Sequence, residues 1–81
     1  MNAILSKHTR DMLKERTISE EWVWRTLENP DWKNVGVDNN VHYFKKIPEH
    51  GERVLHVVVN PFLSPGKVVT VFFDRRAGRQ Q

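Results

Sequence analysis

The sequence predicts an α+β fold in which two N-terminal helices pack on one face of a four-stranded antiparallel meander sheet. Three observations carry this reading. Apolar residues recur with a period near 3.6 as far as Asn29-Pro30 and with a period of 2 beyond it. Val, Phe and Tyr become frequent in the second part. The segments "DNN", "PEHGE" and "NPFLSPG" that separate the apolar runs are short, which favours antiparallel neighbours.

The first helix is expected over residues 6–16. Ser6 can cap it, because its hydroxyl can accept an orphan N–H of the first turn. Leu5, Thr9, Met12 and Leu13 fall on one side and Lys7, Arg10, Asp11 and Lys14 on the other. The second helix is expected over 19–29. Ile18 before Ser19, with Val23 after it, has the spacing of a hydrophobic staple, and Glu20 and Glu21 suit the positive end of the dipole. Val23 and Leu27 centre its buried face, and Asn29-Pro30 ends it.

Strands follow over 32–37, 41–47, 53–59 and 68–73, and the polar tail 75–81 is expected to fray. If the second and third strands close symmetrically around Glu49-His50-Gly51, Phe44 lies opposite His56 and Tyr43 opposite Val57. His42, Phe44, Lys46, Val54, His56 and Val58 then share one side. Tyr43, Lys45, Ile47, Arg53, Leu55 and Val57 share the other, and their three strong aliphatics make that side the better candidate for the helix-facing core. The first side is still apolar for a surface, so Phe44, Val54 and Val58 are candidates for a homodimer or partner interface.

At 81 residues the chain has room for one small domain, spanning 1–81. No apolar run approaches the roughly 18 residues that span a bilayer, and Met1 to Leu5 is too short for a signal peptide, so no membrane association and a cytoplasmic location are expected. Cysteine is absent, which excludes disulfides and thiolate metal sites. The formal charge of +3 is uneven: residues 1–40 hold six Lys/Arg against seven Asp/Glu, and residues 41–81 hold seven against three. A basic second half is the distribution expected of a domain that meets an anionic partner.

No histidine spacing typical of a metal site, no nucleophile elbow and no phosphate-cradling glycine loop occurs, so neither metal nor cofactor is expected. Metal-free RNA cleavage stays open, since it needs only a proton acceptor, a proton donor and cations on the phosphate. His8 and His56 can exchange protons near neutral pH, Arg16 and Arg53 can stabilise phosphate, and Lys45, Lys46, Arg75 and Arg76 can guide RNA. Each also has a structural reading. His8 can bond locally in a first turn, His56 can be a strand spacer, and Arg16 can meet free carbonyls at a helix end. His42 and His50 read as hairpin and loop surface. His8 and Arg16 stand eight residues apart, about 12 Å along a helix, and cannot touch. A shared role for them calls for a cationic cleft between the helical hairpin and the sheet.

The stretch "SKHTRDMLKERTISEEWVWRTLENPD", with "VHYFKK", "RVLHVVV" and "KVVTVFF", resembles the small prokaryotic domain-of-unknown-function family 4258 over nearly the whole chain. The most specific part is His8, Arg16, Ile18, Ser19, Asn29 and Pro30. That family looks like a relative of the barnase-colicin-RelE group of toxin and nuclease folds, and the resemblance implies a RelE/BrnT-toxin-like arrangement of helices leading into an antiparallel sheet. It implies a toxin-like, metal-independent ribonuclease or an inactive relative, with RNA as substrate and an antitoxin-like protein as partner, and puts His8 and Arg16 first among residues to test. Two other functions stay open: a non-enzymatic interaction or homodimerisation module, and a non-catalytic RNA binder. Family members usually carry Gly after the arginine, where the helix ends in the left-handed region; here it is Thr17.

Overall fold

In the computed structural model, which describes residues 3–77, β1 (Ala3–Ile4) leads into α1 (Lys7–Glu15) and α2 (Glu20–Glu28). Four strands follow: β2 (Trp32–Val35), β3 (Val41–Ile47), β4 (Arg53–Asn60) and β5 (Gly66–Phe73), with a 3₁₀ turn at Pro48–His50. Ser6 caps α1, its Oγ accepting the Thr9 N–H at 3.2 Å. The helix closes with Thr17 N–H donating to Lys14 O and Ile18 N–H donating to Leu13 O, at 3.2 and 2.9 Å. Leu13 and Ile18 are both in the core, completing a Schellman motif. That motif requires a left-handed residue, and Thr17 supplies it at φ 55°. Ser19 occupies the cap position of α2 without a side-chain cap bond.

The expected four-stranded meander is present as β2 to β5, all antiparallel, but the sheet is mixed and five-stranded, in the order β1-β5-β4-β3-β2. The added strand is β1, which pairs parallel with β5 through Ala3↔Gly66 and Ile4↔Lys67. Two residues are too few to show a period. The β3–β4 hairpin has the register its symmetric closure predicts, with Phe44 opposite His56 and Tyr43 opposite Val57.

One side of the sheet meets the helices. Leu13, Ile18, Val23 and Leu27 pack there against Tyr43, Ile47, Leu55, Val57, Val59, Val68 and Val71. This core is closed. Its aliphatic members are buried, and among the described residues a groove of about 510 Å³ beside the helices lies at the α1–α2 turn, lined by Arg10, Leu13, Lys14, Ile18 and Glu20.

The two sheet edges differ. Helix α1 lies along β5, where Thr9 Oγ1 donates to Val68 O at 3.2 Å and Arg16 Nη1 donates to Val71 O at 2.7 Å. These side chains satisfy carbonyls of β5 beyond Gly66 and Lys67, the two residues that β1 pairs. At the other edge, Lys33, Asn34 and Val35 of β2 are exposed. The β3–β4 turn is tied to α2 by a two-pronged bond from Arg25 to Glu49, both contacts 2.9 Å, which holds the Glu49 carboxyl down at about 2.

Candidate functional site

The side of the sheet away from the helices carries the histidine chemistry. Because His56 alternates along β4 with core residues Leu55 and Val57, its ring projects to that opposite side. Register places Trp32, Phe44, His56 and Phe72 in one row across β2, β3, β4 and β5. The rings form a ladder, with centroid separations of 4.9, 4.3 and 4.6 Å from Trp32 to Phe72. His56 is thus sandwiched between two phenylalanines and is only 8% exposed.

The two ring nitrogens of His56 leave the sandwich at its edges. His56 Nε2 lies 2.7 Å from His42 Nδ1, and His56 Nδ1 lies 3.0 Å from Asp74 Oδ2. His42 Nε2 in turn meets both carboxylate oxygens of Asp38, at 3.2 and 3.3 Å. The result is a continuous chain: Asp38, His42, His56, Asp74. His42 is a diagonal neighbour of His56 across the β3–β4 pair, within reach of a ring although not directly opposite.

Both ends of the chain are built by backbone turns. Asp38 belongs to a loop closed by Gly36 N–H to Asn40 O and Asn39 N–H to Gly36 O, both 3.0 Å, with Asn39 at φ 65°. Gly36 has to be glycine for this fit: a Cβ there would stand 2.6 Å from His42 Nε2 and 2.8 Å from Asp38 Oδ1. Asp74 opens the turn that follows β5. Its N–H pairs with Val54 O, and its Oδ1 accepts from the Arg76 and Ala77 N–H groups at 2.9 and 3.2 Å. Ala77 then packs on Phe44 and Val54. Arg75 to Ala77 are therefore anchored, and the remainder of the tail expected to fray, 78–81, lies outside the described residues.

Electrostatics follow from this construction. Burial between the phenyl rings lowers the His56 pKa, the neighbouring His42 adds to that, and Asp74 opposes it without prevailing. Burial pushes the Asp74 carboxyl up, but bonds from His56, Arg76 and Ala77 together carry it below the ordinary range. The Asn40 N–H, followed by His42, holds Asp38 down.

The residues singled out from sequence are dispersed. His8 is exposed in the first turn of α1, beside the row of Val68, whereas His56 stands in the row of Phe72 one strand further in. Four residues of strand separate those rows, about 13 Å. The Arg16 guanidinium is bonded to Val71 O. Arg53 is exposed at the start of β4 on the helix side, opposite Ile47. Lys45 Nζ donates to Asn29 O at 2.8 Å and lies 3.5 Å from Asp31, tying β3 to the end of α2. Lys46, opposite Val54, and Arg75 and Arg76, beyond Asp74, are exposed around the rim of the histidine face. Phe44, Val54 and Val58 are 7%, 4% and 4% exposed, so only their margins are accessible.

Asp38, His42 and Asp74 were not identified from sequence. The register that paired Phe44 with His56 put His42 on the same side as His56, and that was the available signal. The folding-back of the 36–40 loop and of the 74–77 turn is tertiary and leaves no period. Among the described residues, no group of three or more His, Cys, Asp or Glu is arranged to hold a metal ion. The chain is linear, not convergent on a point. The groove of about 590 Å³ formed by Ala3, Ile4, Pro61, Leu63, Ser64, Pro65 and Gly66 contains none of its members.

Comparison with known families gives a match over residues 5–73 to the model described as Domain of unknown function (DUF4258). The chain belongs to the DUF4258 family. The matched span runs from the residue before the Ser6 cap to the end of β5, so it includes both helices, the sheet strands β2 to β5, and Asp38, His42 and His56. Asp74 falls one residue beyond it. No curated protein and no solved structure compared with this DUF4258 chain is a match. Among the described residues no helix is long and apolar enough to cross a membrane.

Proposed function

We propose that this domain is a toxin-like, metal-independent ribonuclease whose proton-transfer group is His42, backed by His56 and Asp74. The observation that carries the reading is the pair of hydrogen-bonded imidazoles, 2.7 Å apart and flanked by a carboxylate at each end, on the sheet side that bears exposed Lys46, Arg75 and Arg76. His42 is the more accessible ring, and its Nε2 faces only an exposed loop carboxylate. His56 and Asp74 stand behind it as orienting groups, the order in which a base is held by a third residue.

In this reading an RNA phosphate displaces Asp38. Departure of Asp38 removes the anion that favours a proton on His42 Nε2, and from the form in which Nε2 bears no hydrogen that nitrogen takes the 2′-hydroxyl proton as the O2′–P bond forms and returns it to the 5′-oxygen as the P–O5′ bond breaks. The products are a 2′,3′-cyclic phosphate and a 5′-hydroxyl, and the protein ends with the protons it began with. Lys46, Arg75 and Arg76 hold the chain of phosphates, and Trp32 offers a face for a base. The likeness to the DUF4258 family read from the sequence, and through it to toxin and nuclease folds, points to the same substrate class.

The test is incubation of micromolar protein with mixed RNA in the presence of a chelator, read for cyclic-phosphate ends. His42→Ala should reduce cleavage by about 10²-fold or more. His8→Ala should leave both cleavage and stability in place, because His8 is exposed and remote from the pair. Cleavage lost in His8→Ala and retained in His42→Ala would transfer the site to α1. Intact RNA bound with strong salt dependence would leave a non-catalytic binder.

A second reading, an interaction module, is favoured by the uncovered β2 edge, where Val35 and Val37 are exposed. Scattering of the wild type against Val37→Glu tests it through loss of a dimer. Phe44→Glu or Val58→Glu is less informative, since each would bury a charge inside the monomer.

A further inference from the structure

We infer that His42 and His56 together hold one proton more than two neutral rings, and that this shared proton latches the 36–40 loop and the 74–77 turn onto the histidine side of the sheet. Proton counting along the chain leads there. Three contacts link Asp38, His42, His56 and Asp74, and each joins two atoms that accept unless one of them bears hydrogen. Three contacts therefore need three protons on four ring nitrogens. Two neutral imidazoles supply two, so one contact would set a lone pair against another lone pair or against a carboxylate. Two imidazolium rings supply four, which would set N–H against N–H across 2.7 Å. Only the singly charged pair closes the chain.

The arrangement of groups around the pair supports this count. From the β2–β3 loop the only ionisable group facing it is Asp38, and from the end of β5 it is Asp74. Its β3 and β5 neighbours in the ladder, Phe44 and Phe72, are uncharged, and the cations Lys46, Arg75 and Arg76 stand at the rim. Both carboxyls are held below their ordinary range, so neither supplies the third proton. The extra proton is placed on His42 by geometry: its ring is the more exposed of the two and its Nε2 meets both Asp38 oxygens, whereas burial works against charge on His56. The assignment follows from the hydrogen-bond geometry whether or not RNA is cut.

Each end of the chain organises backbone. Asp38 also accepts from the Asn40 N–H at 3.0 Å, and Asp74 from the Arg76 and Ala77 N–H groups. Losing the shared proton frees one contact, and gaining a second separates the rings. Either way the chain that joins the two turns is broken at one contact. The latch thus has a pH window bounded on both sides.

Imidazole ¹⁵N NMR of the ¹⁵N-labelled wild-type chain between about pH 4 and 9 tests this directly. The expected result is a plateau in which His56 Nδ1 and both nitrogens of His42 carry protons, bounded by steps that the amides of Asn40, Arg76 and Ala77 follow with the same midpoints. Asp74→Asn keeps the shape of the side chain and removes its charge, and should move the upper step down by about 1 pH unit or more. Two neutral rings throughout the neutral range, two independent titrations, loop amides that do not follow the rings, or an upper step unmoved by Asp74→Asn would each overturn the assignment.

Discussion

The two sides of this sheet are built on different principles although they share the same strands. On the helix side, Ile47, Leu55, Val57, Val59, Val68 and Val71 are fully buried among aliphatic neighbours and leave almost nothing to titrate. On the other side, one layer of aromatic rings is closed by a hydrogen-bonded chain with four ionisable members. The first arrangement stabilises by removing apolar surface from water and is indifferent to pH. The second depends on where protons sit. A small domain can therefore keep its fold on one side while the other responds to its surroundings.

The largest expected effect tests the helix side. Leu55→Ala should cost about 2–5 kcal/mol, a large share of the stability of a chain this size, and should cost the same at pH 8 and pH 5. Urea unfolding at both pH values reads it. A cost that differed by more than about 1 kcal/mol between them would mean that the two sides are coupled and the contrast is too sharp.

Acid should act on the histidine side first. His56 has a folded-state pKa below its unfolded value of about 6.5. The unfolded chain then binds the proton more readily, so this contribution is complete above about pH 6.5 and is lost as pH falls through the folded value. Asp74 and Asp38, also lowered, follow below about pH 4, and Glu49 is lost only towards 2. Stability should therefore begin to fall near pH 6.5, and His56→Leu should remove that first step while the carboxylate steps remain. An unchanged acid profile in His56→Leu would place the early step elsewhere.

How much of this could be read from residues alone differs in the same way. Helices, strands and the β3–β4 register were legible, because the period of apolar residues reports which side faces a core and the Glu49-His50-Gly51 turn sets the pairing. β1 was not legible, being two residues held by pairing with β5. His42 read as surface because nothing local shows that Gly36 lets the 36–40 loop close over it. Arg16 read equally as a phosphate ligand and as a helix-end residue. What decides its present partner is a β5 carbonyl 55 positions away, beyond the reach of β1.

Arg16 yields the next prediction in size. Arg16→Met keeps the stem but leaves Val71 O without its donor, at a cost of about 1–2 kcal/mol. If the histidine side is independent of this edge, the His42 and His56 resonances should not move. A variant that retained full stability would show that water replaces the guanidinium and that the α1 edge is held by packing and Thr9 alone.

The smallest effect is a gain. Thr17 holds the left-handed position of the α1 Schellman motif at φ 55°, where a β-branched residue is strained by about 1 kcal/mol or more and glycine is not. Glycine also widens the unfolded ensemble, which offsets part of the relief. Thr17→Gly should therefore raise the melting temperature by a few degrees, about 4–8 °C per kcal/mol gained. Because Thr17 sits on the helix side, the increment should be equal at pH 8 and pH 5, and in the His56→Leu background it should add to the loss without interaction. An increment confined to one pH would show that strain at the α1 turn reaches the histidine chain, and an unchanged or lower melting temperature would mean that the exposed threonine gains from its surroundings what it loses in backbone strain.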